Sequence, residues 1–97
     1  MTHVHVLKIE PKPFEAQHFY RHMRNATTWH GLKIVARRLL TNYPQIGGLL
    51  VEIEGDVSLE VLKRLYADRE VEHIYLCEDH TLAEIKDEAD LDYEELR

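Results

Sequence analysis

Glu15, His18 and His22 come nearest to the spacing of a chemical site. On a helix their directions fall within about 60° of one another. The i, i+4 histidine pair can chelate Zn²⁺, with Glu15 or a ligand from elsewhere completing four. His3 and His5 share one side of a strand, while His73, Cys77 and His80 gather near the end of another. The chain has no cysteine pair and no His-Glu-x-x-His, so no closed metal site is spelled out. The plainer reading makes the same groups the polar flank of an amphipathic helix. No cofactor is expected.

Three further constellations carry charge. Arg21, Arg24, Lys33, Arg37 and Arg38 with Tyr20, Trp29 and Tyr43 could make a basic aromatic surface for single-stranded RNA. Arg37, Arg38 and Trp29 would be its centre. As plain structure, Arg37 and Arg38 sit near a helix C-terminus, where the dipole favours cations, and Trp29 is a core anchor.

Glu52, Glu54 and Asp56 follow one strand, and Glu78, Asp79 and His80 another. Such acids could serve metal-dependent phosphoryl chemistry. However, Gly47-Gly48 precedes a strand instead of opening a helix, so no phosphate loop is present, and no nucleophile elbow occurs. The expectation is a protein that is not an enzyme.

The last constellation is the strongest. Residues 78–97 hold nine carboxylates against Lys86 and Arg97, a local charge of −7, while residues 1–77 hold nine acids and ten bases. The formal charge of −6 therefore sits in one terminal segment. Such a block attracts cationic surfaces and repels nucleic acid. Glu84, Asp87, Glu88, Asp90, Asp92, Glu94 and Glu95 would face a basic partner, with Tyr93 and Leu96 as apolar anchors. The plainer reading is a solvated helix docked through Leu82, Ile85, Leu91 and Leu96.

These groups need elements to position them. Residues 3–9 read as a β-branched strand, ended by Pro11 and Pro13. Ala16, Phe19, Tyr20 and Met23 predict a helix over about 13–25. Leu32, Val35, Ala36, Leu39 and Leu40 have i, i+3, i+4, i+7, i+8 spacing, which favours a second helix; the rival reading pairs 32–40 as a strand with 48–54. Leu49–Glu54 is a strand. Ser58 caps the next helix, with Val57 and Leu62 as a staple. Val71–Cys77 is the third strand, which completes a βαβ unit. Thr81-Leu82-Ala83-Glu84 is a capping-box pattern, so the acidic tail should start as a helix.

Ninety-seven residues, 44% hydrophobic and 31% charged, suit one globular domain. Residues 1–78 form its expected α/β core and 79–97 its acidic helical C-terminal segment. No run approaches the roughly 20 apolar residues of a membrane span, and the first residues lack a secretory signal pattern. Cys77 is the lone cysteine, which fits a reducing compartment and a cytoplasmic address.

The run His5-Val6-Leu7-Lys8-Ile9-Glu10-Pro11 with Phe14-Glu15-Ala16 resembles the opening of ASCH-type, PUA-like barrel domains. Gly31-x-Lys33 and Arg38 are similar to that family's Gly-x-Lys-x-x-Glu-x-Arg signature, and Gln45-Ile46-Gly47 resembles the segment after it. Ala36 stands where the signature has its acid, and a helix at 32–40 would not fit a barrel strand. The resemblance implies RNA recognition without carboxylate-dependent hydrolysis.

The fold expected is therefore α/β, a single small domain with about three main strands, one βαβ unit and packed helices. The function expected is a non-enzymatic protein–protein interaction module. A small acidic inhibitor or regulator, like an immunity protein or a phage antagonist, would engage a basic partner this way. A homodimer through exposed strand edges is a further expectation. RNA binding and metal-dependent phosphoryl processing are the alternatives.

Overall fold

The computed structural model describes residues 4–42, 45–77, 81–85 and 93–96. In chain order these form β1 (Val4–Pro11), α1 (Ala16–Met23), β2 (Thr28–Trp29), β3 (Leu32–Asn42) and β4 (Gln45–Glu54). They continue with α2 (Leu59–Ala67), β5 (Val71–Cys77), a 3₁₀ turn (Leu82–Glu84) and β6 (Tyr93–Glu95). The strands make one six-stranded sheet in the order β2-β3-β4-β1-β5-β6. Every neighbouring pair is antiparallel.

This corrects the expected α/β architecture of three main strands with helices packed around them. The domain is a sheet with two α-helices among the described residues. The βαβ unit exists in split form: β4 and β5 both oppose β1, so they run parallel to each other with β1 between them. β1 and β3 are likewise parallel and separated by β4. Strand order β3-β4-β1-β5, with a helix in each crossover, is the ferredoxin-like arrangement. The order has two ends, β2 and β6, so the sheet is open and does not match a PUA-like barrel.

Residues 32–40 are a strand and not a helix, for a reason visible in their burial. Leu32 and Ile34 face the helices. A bulge between Ile34 and Ala36 then shifts the phase, and Leu40 and Ala36 pack on the opposite face. A strand that buries both faces and changes phase midway places apolar residues at spacings of three and four. That mimics a helical stripe.

The sheet separates two cores. On one face Leu7, Ile9, Leu49, Val51, Ile53 and Ile74 pack against Phe19 and Met23 of α1, Val61 and Leu65 of α2, and Trp29. On the other, Val6, Leu50, Leu40 and Cys77 meet Leu82 and Ile85 of the 3₁₀ turn. Adjacent residues such as Val6 and Leu7 thus serve different cores, as strand alternation requires. Burying a Leu or Phe side chain is worth about 1.5–3 kcal/mol, so the larger core carries most of the stability.

Local signals explain the helices. Ser58 accepts from the Val61 N–H at 3.3 Å, as an N-cap should. Val57 and Leu62 both pack on the main core. α1 starts at Ala16, later than the proline at 13 suggested, and Glu15 makes no side-chain cap.

The expected helix in the tail is also corrected. Thr81 makes no side-chain cap, the turn at Leu82–Glu84 is 3₁₀, and 93–95 is a strand on β5. Its carbonyls are engaged from outside: Arg38 donates to Leu82 O and Ile85 O, each at 2.8 Å. Glu52 accepts from the Leu82 N–H at 2.8 Å.

Candidate functional site

α1 lines a concavity on each flank, because residues 17, 20, 21 and 24 point to one side of its axis and 19 and 22 to the other. On the first side a cleft of about 680 Å³ opens between α1 and the ends of β3 and β4. Arg21 and Arg24 come from the helix and Arg37 from β3, with Tyr20, Leu39 and Leu49 supplying ring and aliphatic surface. No described carboxylate lines it. Arg37 is fastened there by donating through Nη1 to the Met23 carbonyl. Leu39, on the floor, is 48% exposed, a large apolar side chain left open to solvent. The Tyr20 phenol is pushed above its ordinary range, first by burial and then by Glu10. It therefore remains a neutral O–H donor at physiological pH.

The second flank holds a smaller pocket of about 270 Å³ lined by Phe19, His22, Thr28, Trp29, His30, Asp68 and Glu70. His30 Nε2 donates to Asp68 Oδ2 at 2.6 Å. Asp68 Oδ1 accepts from the Glu70 N–H at 2.9 Å, which fixes the carboxylate. His18 Nδ1 lies 3.1 Å from Glu70 Oε2 at the rim. His30 and Gly31 both have positive φ, +51° and +81°, and join the paired residues Trp29 and Leu32. Two such residues between paired strands form a type I′ hairpin turn, where Asn-Gly is the favoured pair. Here the chain carries His-Gly, and the unusual residue is the one bonded to Asp68.

Sequence reasoning missed the His30–Asp68 pair. The signal was a Trp-His-Gly-Leu run flanked by strand formers, which reads as a tight hairpin. Asp68 gave no signal, because only the crossover between α2 and β5 brings it across 38 residues.

The other expected sites fare differently. Glu15, His18 and His22 do not converge: His18 turns to Glu70, and His22 enters the pocket with His30. Among the described residues no group of three His, Cys, Asp or Glu is placed to hold a metal. Arg37, Arg38 and Trp29 are split, since strand alternation sends Arg37 to the cleft and Arg38 to the opposite face. Trp29 is 6% exposed and belongs to the core. Glu52 and Glu54 are engaged by the Leu82 N–H and by Lys33, the latter at 3.7 Å. Cys77 is buried, and burial pushes its thiol up to about 11. Such a thiol is no nucleophile at neutral pH.

Of the tail residues, Glu84, Glu94 and Glu95 are exposed, and β6 carries Tyr93 at the sheet edge. Glu95 lies 3.7 Å from His73 Nδ1. Asp87, Glu88, Asp90 and Asp92 lie outside the described residues. Among the described helices none is long and apolar enough to cross a membrane.

A scan against protein-family models found no match, and searches of curated proteins and of solved structures found none either.

Proposed function

We propose that the protein binds single-stranded RNA through the cleft formed by Arg21, Arg24 and Arg37. One observation carries the reading: three arginines line one concave surface that includes the half-exposed Leu39 and no described carboxylate. Guanidiniums take phosphates as planar forks, and Tyr20 and Leu39 offer surface for an unstacked base. Of the tail's carboxylates, Glu94 and Glu95 lie on β6, which stands four strand spacings from β3, roughly 19 Å, against a Debye length of about 8 Å at physiological salt. The lone Cys77 suits a reducing compartment, and the cytosol is the setting this reading assumes.

The test is fluorescence anisotropy of a labelled single-stranded oligoribonucleotide at low and physiological salt. Binding should weaken steeply with salt, as phosphate contacts require. Arg21→Glu with Arg24→Glu should abolish it while thermal unfolding stays unchanged. Absence of binding by the parent protein at low salt sinks the proposal.

A second reading rests on Glu94 and Glu95, which β6 holds exposed at the far sheet edge. They suit docking of a protein with a basic surface, in the manner of a small acidic inhibitor or regulator. Glu94→Lys with Glu95→Lys should then lose a partner that the parent captures in a salt-sensitive pull-down. Equal capture by both proteins refutes it.

A further inference from the structure

β3 is an edge strand over most of its length. β2 covers only its start, where Thr28 faces Lys33, Trp29 faces Leu32 and the Ile34 N–H donates to the Thr27 carbonyl. From Val35 to Asn42 no described strand lies on the side away from β4. Such an edge offers main-chain donors and acceptors to another chain, and proteins commonly guard it with proline or outward charge. β3 contains no proline, and its two central charges are each bound to main chain of the same molecule. Arg37 donates to the Met23 carbonyl, and Arg38 to those of Leu82 and Ile85. Val35 and Leu39 are left exposed beside them. The far edge differs, because β6 is only three residues long and carries the exposed Glu94 and Glu95.

We propose that this edge accepts an extended acidic segment of a partner protein, added to the sheet as a strand beside Val35–Asn42. Charge complementarity selects the occupant. Arg37 and Leu39 belong both to the edge and to the cleft that Arg21 and Arg24 share, and no described carboxylate lines that cleft. Alternate side chains of an added strand stand on the helix side, about 4.8 Å from β3 and beside Arg37 and Leu39, where carboxylates are favoured. The intervening ones stand beside Ala36 and Leu40 on the face of the smaller core, where aliphatic groups are favoured. The recognised sequence therefore alternates acidic and aliphatic residues. A second copy suits the edge less well. Antiparallel pairing of two β3 edges about a two-fold axis keeps like faces on one side and sets one group of arginines against the other. The inference goes beyond the RNA reading: a strand needs the main-chain edge, which RNA has no peptide backbone to pair with.

The experiment titrates the full chain into a labelled, acetylated and amidated Glu-Val-Glu-Val-Glu-Val peptide by anisotropy. Amide hydrogen exchange is then mapped with and without the unlabelled peptide. Binding should saturate and weaken with salt, and the Lys-Val counterpart should not bind. Exchange should slow between Val35 and Asn42 and stay unchanged at Tyr93–Glu95. Methylating one alternate set of peptide nitrogens removes the donors that face β3 and should weaken binding about tenfold or more. Methylating the other set should leave affinity as it was. Arg21→Glu with Arg24→Glu should also weaken binding about tenfold or more, with thermal unfolding unchanged. No binding, equal binding by both methylated peptides, or slowed exchange elsewhere than β3 overturns the inference. So does sedimentation of the free chain as a dimer whose Val35–Asn42 amides are already protected, because a second copy then covers the edge. None of these outcomes touches the RNA reading, which the oligoribonucleotide titration decides separately.

Discussion

Arg38 Nη1 donates to the Ile85 carbonyl at 2.8 Å, so the segment around Leu82–Ile85 is fastened to β3 through its backbone. A second fork to Leu82 O presses Leu82 and Ile85 onto the smaller core. Hydrogen bonds to a charged group are worth about 1.5–3 kcal/mol each. Arg38→Ala should therefore cost about 2–3 kcal/mol in urea denaturation. Arg38→Lys should recover less than half, because an ammonium cannot make the fork. An unchanged midpoint for Arg38→Ala would show that the guanidinium does not fasten the turn.

Cys77 gives a pH dependence of defined sign. Its folded thiol stands at about 11 against an ordinary 9.0, with burial as the main cause and Lys8 opposing it. Below 9 both folded and unfolded chains keep the proton. Between 9 and 11 only the unfolded chain loses it, so stability falls as pH rises through that window. The full difference is worth roughly 2.7 kcal/mol. Chemical denaturation across this range should show a steeper loss for the parent than for Cys77→Ala. Parallel curves would count against a raised thiol.

Gly48 has φ of +149°, and a Cβ there would meet the Ile9 carbonyl at 3.1 Å. Both facts forbid a side chain where β4 runs beside β1. Gly48→Ala should cost about 1–3 kcal/mol. For a chain of this size that lowers the melting temperature by several degrees or more. A melting temperature equal to the parent's would refute the strain.

The hairpin at His30–Gly31 separates backbone geometry from imidazole chemistry. His30→Asn should leave the unfolding midpoint within about 1 kcal/mol, since Asn suits a left-handed residue and offsets the lost bond to Asp68. His30→Val should lose about 1–2 kcal/mol more, because a branched Cβ crowds the carbonyl at positive φ. Equal midpoints for the two variants would show that the turn is unstrained.

What could be read from the residues was local. The Ser58 cap, the Phe19 and Met23 face of α1 and strands at 3–9, 49–54 and 71–77 follow from capping chemistry and periodicity; the first two run on in the structure as Val4–Pro11 and Gln45–Glu54. What could not be read depended on distant partners. β3 was hidden because its bulge and two buried faces imitate helical spacing. The tail's docking through Leu82, Ile85 and Leu96 was legible as apolar residues in a charged run, but its form was not, since a 3₁₀ turn and an edge strand stand where a helix was expected. The cleft was half visible. Arg21, Arg24 and Arg37 were all singled out, but only the strand's alternation shows that Arg38 leaves the group. The pairing of His30 with Asp68 was invisible, since nothing local marks a contact closed by a crossover.

β1 occupies the middle of the sheet, with Val6 facing Glu52 on one side and Cys77 on the other. β1 must therefore wait for β5, synthesised some 60 residues later, before both its edges are satisfied. Such distant pairings slow folding toward the millisecond-to-second range. A chain stopped before residue 71 would carry a naked strand edge in its centre, ready to recruit other chains into aggregates.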